Sequence, residues 1–104
     1  PTSSAASDVY KRQGEQCILL DEQGQQLDSI GLSQWLENFH LQSVPQITFM
    51  VGGPYGVDRE ALPQQTKQLS LSPMTFSHQM VRLILLEQVY RAFTILNGEP
   101  YHHR

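Results

Sequence analysis

Leu69 to Phe93 reads LSLSPMTFSHQMVRLILLEQVYRAF, a short strand over Lys67 to Leu71, a turn at Ser72-Pro73, then Met74-Thr75-Phe76 and a helix entered at Ser77. A Ser just before a helical run is an N-cap signal, because its hydroxyl accepts from an orphan N–H of the first turn. The helix is apolar around nearly its whole circumference: Met80, Val81, Leu83, Ile84, Leu85, Leu86, Val89, Tyr90, Phe93, Ile95 and Leu96. Such a helix must be covered on more than one side. A chain of 104 residues has little material to do so, and the missing partner is expected to be a second copy.

Outward from this stretch, Cys17-Ile18-Leu19-Leu20 is an unalternating apolar run that ends at Asp21-Glu22-Gln23-Gly24. That pattern fits a strand buried on both faces and closed by a turn. Ile30, Leu32, Trp35, Leu36 and Phe39 recur at helical spacing between Ser29 and Phe39, and Ser43-Val44-Pro45 breaks the helix. Ile47 to Val51 is a second buried strand, running directly into Gly52-Gly53-Pro54. Asp58 caps a short helix reaching about Thr66, limited by Pro63. Strand, helix, strand, helix, strand, helix predicts an α/β domain with a parallel sheet.

Composition bounds the rest. One small domain is all the length allows, and 39% hydrophobic with 16% charged residues is a globular balance. No apolar run nears the roughly 18 residues of a membrane span and no secretory signal opens the chain, so a cytoplasmic protein without a membrane partner is expected. Residues 1–13, PTSSAASDVYKRQ, have no apolar periodicity and resemble a translated adapter tract. They read as a non-native or disordered tail, with the domain at 14–104.

The net charge of −3 opposes simple nucleic-acid binding. Its distribution does not: 15–37 holds five acidic and no basic groups, whereas Met74 onward holds Arg82, Arg91, Arg104 and three His against Glu87 and Glu99. An RNA-facing surface therefore belongs at the C-terminal end.

SLSPMTFSHQMVRLILLEQVYRAFTILNGEPYHHR, together with VGGPYG at Val51 to Gly56, resembles the SPOUT-class (trefoil-knotted) methyltransferases that modify N-3 of a pseudouridine in large-subunit ribosomal RNA. The likeness runs from about Gly14 to Arg104 and is most specific in the second half. It implies a C-terminal trefoil knot, S-adenosylmethionine as cofactor, a homodimer joined through helix 78–96, and a substrate in the assembled ribosome. Members of that family begin with a further strand–helix–strand–helix segment to which nothing here corresponds, so the resemblance implies an N-terminally shortened copy.

In open parallel sheets, ligands bind beyond the carboxyl ends of the strands. Leu20-Asp21, Gly52-Gly53-Pro54 and Ser70 to Phe76 all fall there. A bare Gly-Gly-Pro is by itself a turn, and Leu71, Met74 and Phe76 read equally as core. The resemblance carries cofactor contact onto Leu20, Gly52, Leu71, Ser72, Pro73, Met74, Thr75 and Phe76, with Gly53 beside them. It implies backbone groups reading the adenine edge and apolar side chains enclosing the ring.

Substrate and catalytic candidates are His78, Arg82, Tyr101, His102 and His103, with Glu87, Tyr90 and Arg91 near them. Glu87 and Arg91 stand at i, i+4, where an intrahelical ion pair is the plain reading; for Arg82 it is a snorkelling side chain at the dimer edge. Tyr101-His102-His103-Arg104 offers an aromatic for base stacking and groups for phosphate; a chain end with those residues otherwise frays. The resemblance implies a Tyr-His tail near the partner's cofactor. The general base stays open between a His and a water. Cys17 reads as packing within its strand. Adjacent side chains of an extended tail point apart, so His102 and His103 are not expected to share a metal. Absence of G-x-G-x-x-G argues against a dinucleotide site. Two other readings stay open: an inactive dimerising fragment, and a cofactor- or nucleotide-binding module without transfer activity.

Overall fold

The computed structural model describes residues 15–52 and 58–103. The expectation for residues 1–13, and those for Gly53 and Arg104, lie outside them. Strand β1 (Gln16–Gln26) leads to helix α1 (Ser29–Leu41) and strand β2 (Ile47–Val51). A single helical turn (Arg59–Ala61), strand β3 (Lys67–Ser70) and helix α2 (His78–Leu96) complete the order. The three strands form one sheet in the order β2-β1-β3, parallel at both pairings, as the alternation of elements requires.

β1 is central, which explains its unalternating composition: Cys17, Ile18 and Leu19 are all buried, so both of its faces are covered. α1 and α2 pack against each other, and the core combines Ile18, Leu32, Leu36, Phe39, Leu69 and Ala92. Burial of each large member stabilises the fold by roughly 1.5–3 kcal/mol. The Ser29 hydroxyl donates to Gln88 Oε1 at 2.7 Å, fixing the start of α1 against the middle of α2.

The helix ends follow their capping chemistry. Asp28 Oδ1 accepts from Gly31 N at 2.7 Å, and Ser77 accepts from Met80 N at 3.3 Å. Both helices end in the same double bond pattern. Ser43 N donates to His40 O and Val44 N to Phe39 O; Gly98 N donates to Ile95 O and Glu99 N to Thr94 O. The residue after each cap is left-handed, with φ of 61° at Ser43 and 74° at Gly98.

The structure departs from the sequence expectations in three places. β1 does not stop at Asp21-Gly24: it continues to Gln26, and both Leu20 and Gln25 register opposite Leu69. The residues between them form a bulge, with Asp21 Oδ1 accepting from Gln23 N at 3.1 Å. Gly24 permits it, because a Cβ there would lie 2.8 Å from the backbone of Gln68 and Leu69. The helix expected from Asp58 to Thr66 is a single turn. Asp58 does cap it, accepting from Glu60 N at 3.1 Å, but Pro63 lacks an N–H and restrains the residue before it. Finally, β3 ends at Ser70 rather than Leu71, where the Ser70 hydroxyl turns to donate to Ser72 O at 3.0 Å.

α2 is covered on one side. Its opposite side carries Leu83, Leu86, Tyr90 and Phe93, spaced three or four residues apart and 62%, 69%, 56% and 53% exposed. The described chain has no element to lay on this stripe. No helix among the described residues is long and apolar enough to cross a membrane.

Candidate functional site

Two clusters emerge, one at each end of α2. The first lies where the strands end. Leu20 registers with Val51 on one side and Leu69 on the other, so Leu20, Gly52 and the segment after Ser70 come to one edge of the sheet. Leu20 and Gly52 are half-buried, as are Leu71 and Ser72; Pro73, Met74, Thr75 and Phe76 are exposed. The segment after β3 is shaped by its own polar groups. Ser72 Oγ accepts from Met74 N at 2.9 Å, closing a turn. The Thr75 hydroxyl donates to Glu22 Oε2 at 2.6 Å, tying this segment to the β1 bulge. Irregular backbone and apolar side chains thus meet at the carboxyl edge of a parallel sheet, where such sheets hold ligands.

The second cluster is the C-terminal tail folded back on the last turns of α2. The Gly98 turn reverses the chain, and Tyr101 returns to the helix it has just left. Its ring meets Tyr90 edge-on with centroids 4.9 Å apart, and its hydroxyl donates to Glu87 Oε2 at 2.9 Å. The same oxygen accepts from Arg91 Nη2 at 2.8 Å and Nε at 3.1 Å. The Arg91 guanidinium also covers the Tyr101 ring at 4.8 Å from its centroid, and its Nη1 stands 3.0 Å from His102 Nδ1. The i, i+4 pair is therefore both the expected ion pair and the seat of the tail.

Electrostatics follow from these contacts. Hydrogen bonds from Arg91, then Tyr101, hold the Glu87 carboxyl below the usual carboxylate range. The Glu87 hydrogen bond in turn holds Arg91 protonated more firmly than usual. It also raises the Tyr101 phenol, since a phenolate would face a carboxylate.

Of the catalytic candidates, the structure brings Tyr101 and His102 together with Glu87, Tyr90 and Arg91. His103 is exposed and takes no part in the contacts around Arg91. His78 and Arg82 lie on the first turns of α2, one half-buried and one exposed. At 1.5 Å per residue they precede Arg91 by about 14–20 Å along the axis and stay apart from the tail. Cys17 is buried, and burial, then the Glu15 charge, pushes its thiol upward, as befits packing rather than attack. Among the described residues, no three His, Cys, Asp or Glu side chains gather as a metal set. Sequence reasoning missed two residues that shape these sites, Glu22 and Gly98. Gly98 had a signal, a Gly just past an apolar helical run; Glu22 had none, because its partner lies 53 positions away.

A family model described as "Predicted SPOUT methyltransferase" matches residues 3–102. The chain belongs to the SPOUT methyltransferase family. Among similar curated proteins is Ribosomal RNA large subunit methyltransferase H of Parabacteroides distasonis, 50% identical over 90-odd residues that span 86% of this chain and 57% of that protein. The protein of the same name from Bacteroides fragilis is 46% identical over 86% of this chain and 57% of its own length. That from Acetivibrio thermocellus is 48% identical over 93% of this chain and 62% of its own. The chain thus spans about three-fifths of the relatives it matches.

Proposed function

We propose that this chain is a cytoplasmic, homodimeric, S-adenosylmethionine-dependent methyltransferase that modifies N-3 of a pseudouridine in the large-subunit RNA of assembled ribosomes. Its main support is the convergence of Leu20, Gly52 and Leu71 to Phe76 at one sheet edge in a chain of the SPOUT family. The name of the relatives, Ribosomal RNA large subunit methyltransferase H, supports large-subunit ribosomal RNA as the class of substrate. C-terminal threading as a trefoil knot is part of the same reading.

The residues fit the cofactor. Leu20, Leu71 and Met74 can enclose an adenine ring, and the turn around Ser72 presents backbone groups to its edge. Bound there, the sulfonium supplies an already activated methyl group. The protein has to align donor and acceptor and let one proton leave. Tyr101, His102 and His103 would handle the substrate from the tail, while His78 and Arg82 would reach it from the start of α2.

Geometry supports a dimer. From Ser77 to Glu87 the helix rises about 15 Å, so the two clusters of one chain are held apart. A second copy docked on the Leu83, Leu86, Tyr90 and Phe93 stripe would cover the exposed apolar surface and bring its tail to the first copy's cofactor edge.

The direct test incubates the chain with methyl-labelled S-adenosylmethionine and whole ribosomes from a strain lacking the endogenous activity. Label in large-subunit RNA at a pseudouridine is expected. Label elsewhere, or none in the presence of a folded dimer, would overturn the reading.

A further inference from the structure

Arginine has donors and no acceptor at any accessible pH. A ring nitrogen 3.0 Å from Arg91 Nη1 must therefore accept, so His102 Nδ1 carries no proton in this arrangement. A neutral imidazole then has its proton on Nε2. Arg91 is not free to turn away. Its Nε and Nη2 are both directed at Glu87 Oε2, and its guanidinium face lies over the Tyr101 ring. Glu87 is itself fixed by the Tyr101 hydroxyl and by Gln88 Nε2, which donates to Oε1 at 2.9 Å. Carboxylate, guanidinium and imidazole thus form a directed series, Glu87 to Arg91 to His102.

From this we infer that Arg91, aimed by Glu87, is a positioning residue that fixes His102 as an Nε2–H hydrogen-bond donor and keeps it from serving as the general base. The inference rests on the methyltransferase reading for what the donor meets. An imide N–H that gives up its proton spreads negative charge onto its flanking carbonyl oxygens, and a fixed donor aimed at one of them stabilises that charge. Nδ1 is occupied by Arg91 and Nε2 already bears a hydrogen, so neither nitrogen can take the imide proton while the tail is docked. Water is left as the acceptor of that proton. Tyr101, through its bond to Glu87, joins the same device from the far side.

Long-range proton–nitrogen NMR of the whole chain at neutral pH reads the tautomer without any substrate, with His102 resonances assigned by their loss in His102→Gln. His102 is expected to show a single Nε2–H tautomer, while exposed His103 in the same spectrum averages between forms. Arg91→Met should return His102 to the averaged pattern of His103. An averaged or Nδ1–H His102 in the unmodified chain would overturn the inference. On ribosomes, His102→Gln, which keeps a donor but cannot act as a base, should stay within about ten-fold of the unmodified rate. His102→Ala should lose about 100-fold or more. Equal losses in the two variants would contradict the donor role. A locked tautomer in a folded dimer that transfers no methyl group would instead count against the methyltransferase reading.

Discussion

The Thr75 hydroxyl stands 2.6 Å from the Glu22 carboxylate, joining residues 53 positions apart across the edge of the sheet. Thr75 belongs to the segment proposed above to contact the cofactor, and Glu22 to the β1 bulge. The bond therefore sets how that segment approaches the sheet. Both groups are exposed, so its worth is limited to about 1 kcal/mol. Glu22→Ala is expected to weaken S-adenosylmethionine binding about five-fold by calorimetry, with the melting temperature changed by no more than a few degrees. Unchanged affinity would dissociate the bulge from the cofactor edge.

Gly24 is needed for space rather than for backbone freedom. A Cβ would sit 2.8 Å from Gln68 C and Leu69 N and 2.9 Å from Leu69 C, all backbone atoms that cannot swing aside. Gly24→Ala should push β1 and β3 apart and destabilise the chain by about 1–3 kcal/mol in urea unfolding.

The two helix ends predict opposite signs. Ser43 holds a left-handed φ of 61° with a Cβ, so Ser43→Gly should relieve strain and stabilise by up to ~1 kcal/mol, the gain being offset in part by a freer unfolded chain. Gly98 has a φ of 74° and open space around it, so Gly98→Ala meets backbone strain without a clash. A loss of about 1 kcal/mol is expected in thermal unfolding, together with loosening of the tail. The Tyr101 ring resonances, shifted by Tyr90, should move toward free values.

Glu87 predicts a pH dependence. Its carboxyl is held below the ordinary range in the folded chain. The stabilisation is therefore present above the unfolded carboxylate value of about 4.3 and is lost as pH falls through the lower folded value. Glu87→Gln should melt below the unmodified chain at neutral pH, and the gap should close on acidification. A gap that widened at low pH would reverse the assignment.

Much of the fold could be read from local pattern. The unalternating run at Cys17 to Leu20 required a central strand, and the Ser77 cap with its long apolar helix appears as expected. Residues were harder to read where a distant contact outweighs local signals. Asp21-Glu22-Gln23-Gly24 has the composition of a turn, yet the neighbouring β3 backbone captures the chain and prolongs β1 to Gln26. Pro63 curtailed a helix that Asp58 could start. In the tail, YHHR has no periodicity, and the reversal at Gly98 gives Tyr101 and His102 a place against Glu87 and Arg91. The meeting of Leu20, Gly52 and the segment after Ser70 at one sheet edge could be expected from the order of the strands, while the bond from Glu22 that braces this edge required the folded chain.

The central claim is that this sheet edge holds S-adenosylmethionine in a dimer. Calorimetric titration of the cofactor into the chain, with solution mass recorded on the same sample, tests it most directly. The account predicts a dimer that binds the cofactor at micromolar concentration, with Leu86→Lys shifting the mass toward monomer. A folded dimer giving no heat with S-adenosylmethionine would contradict it.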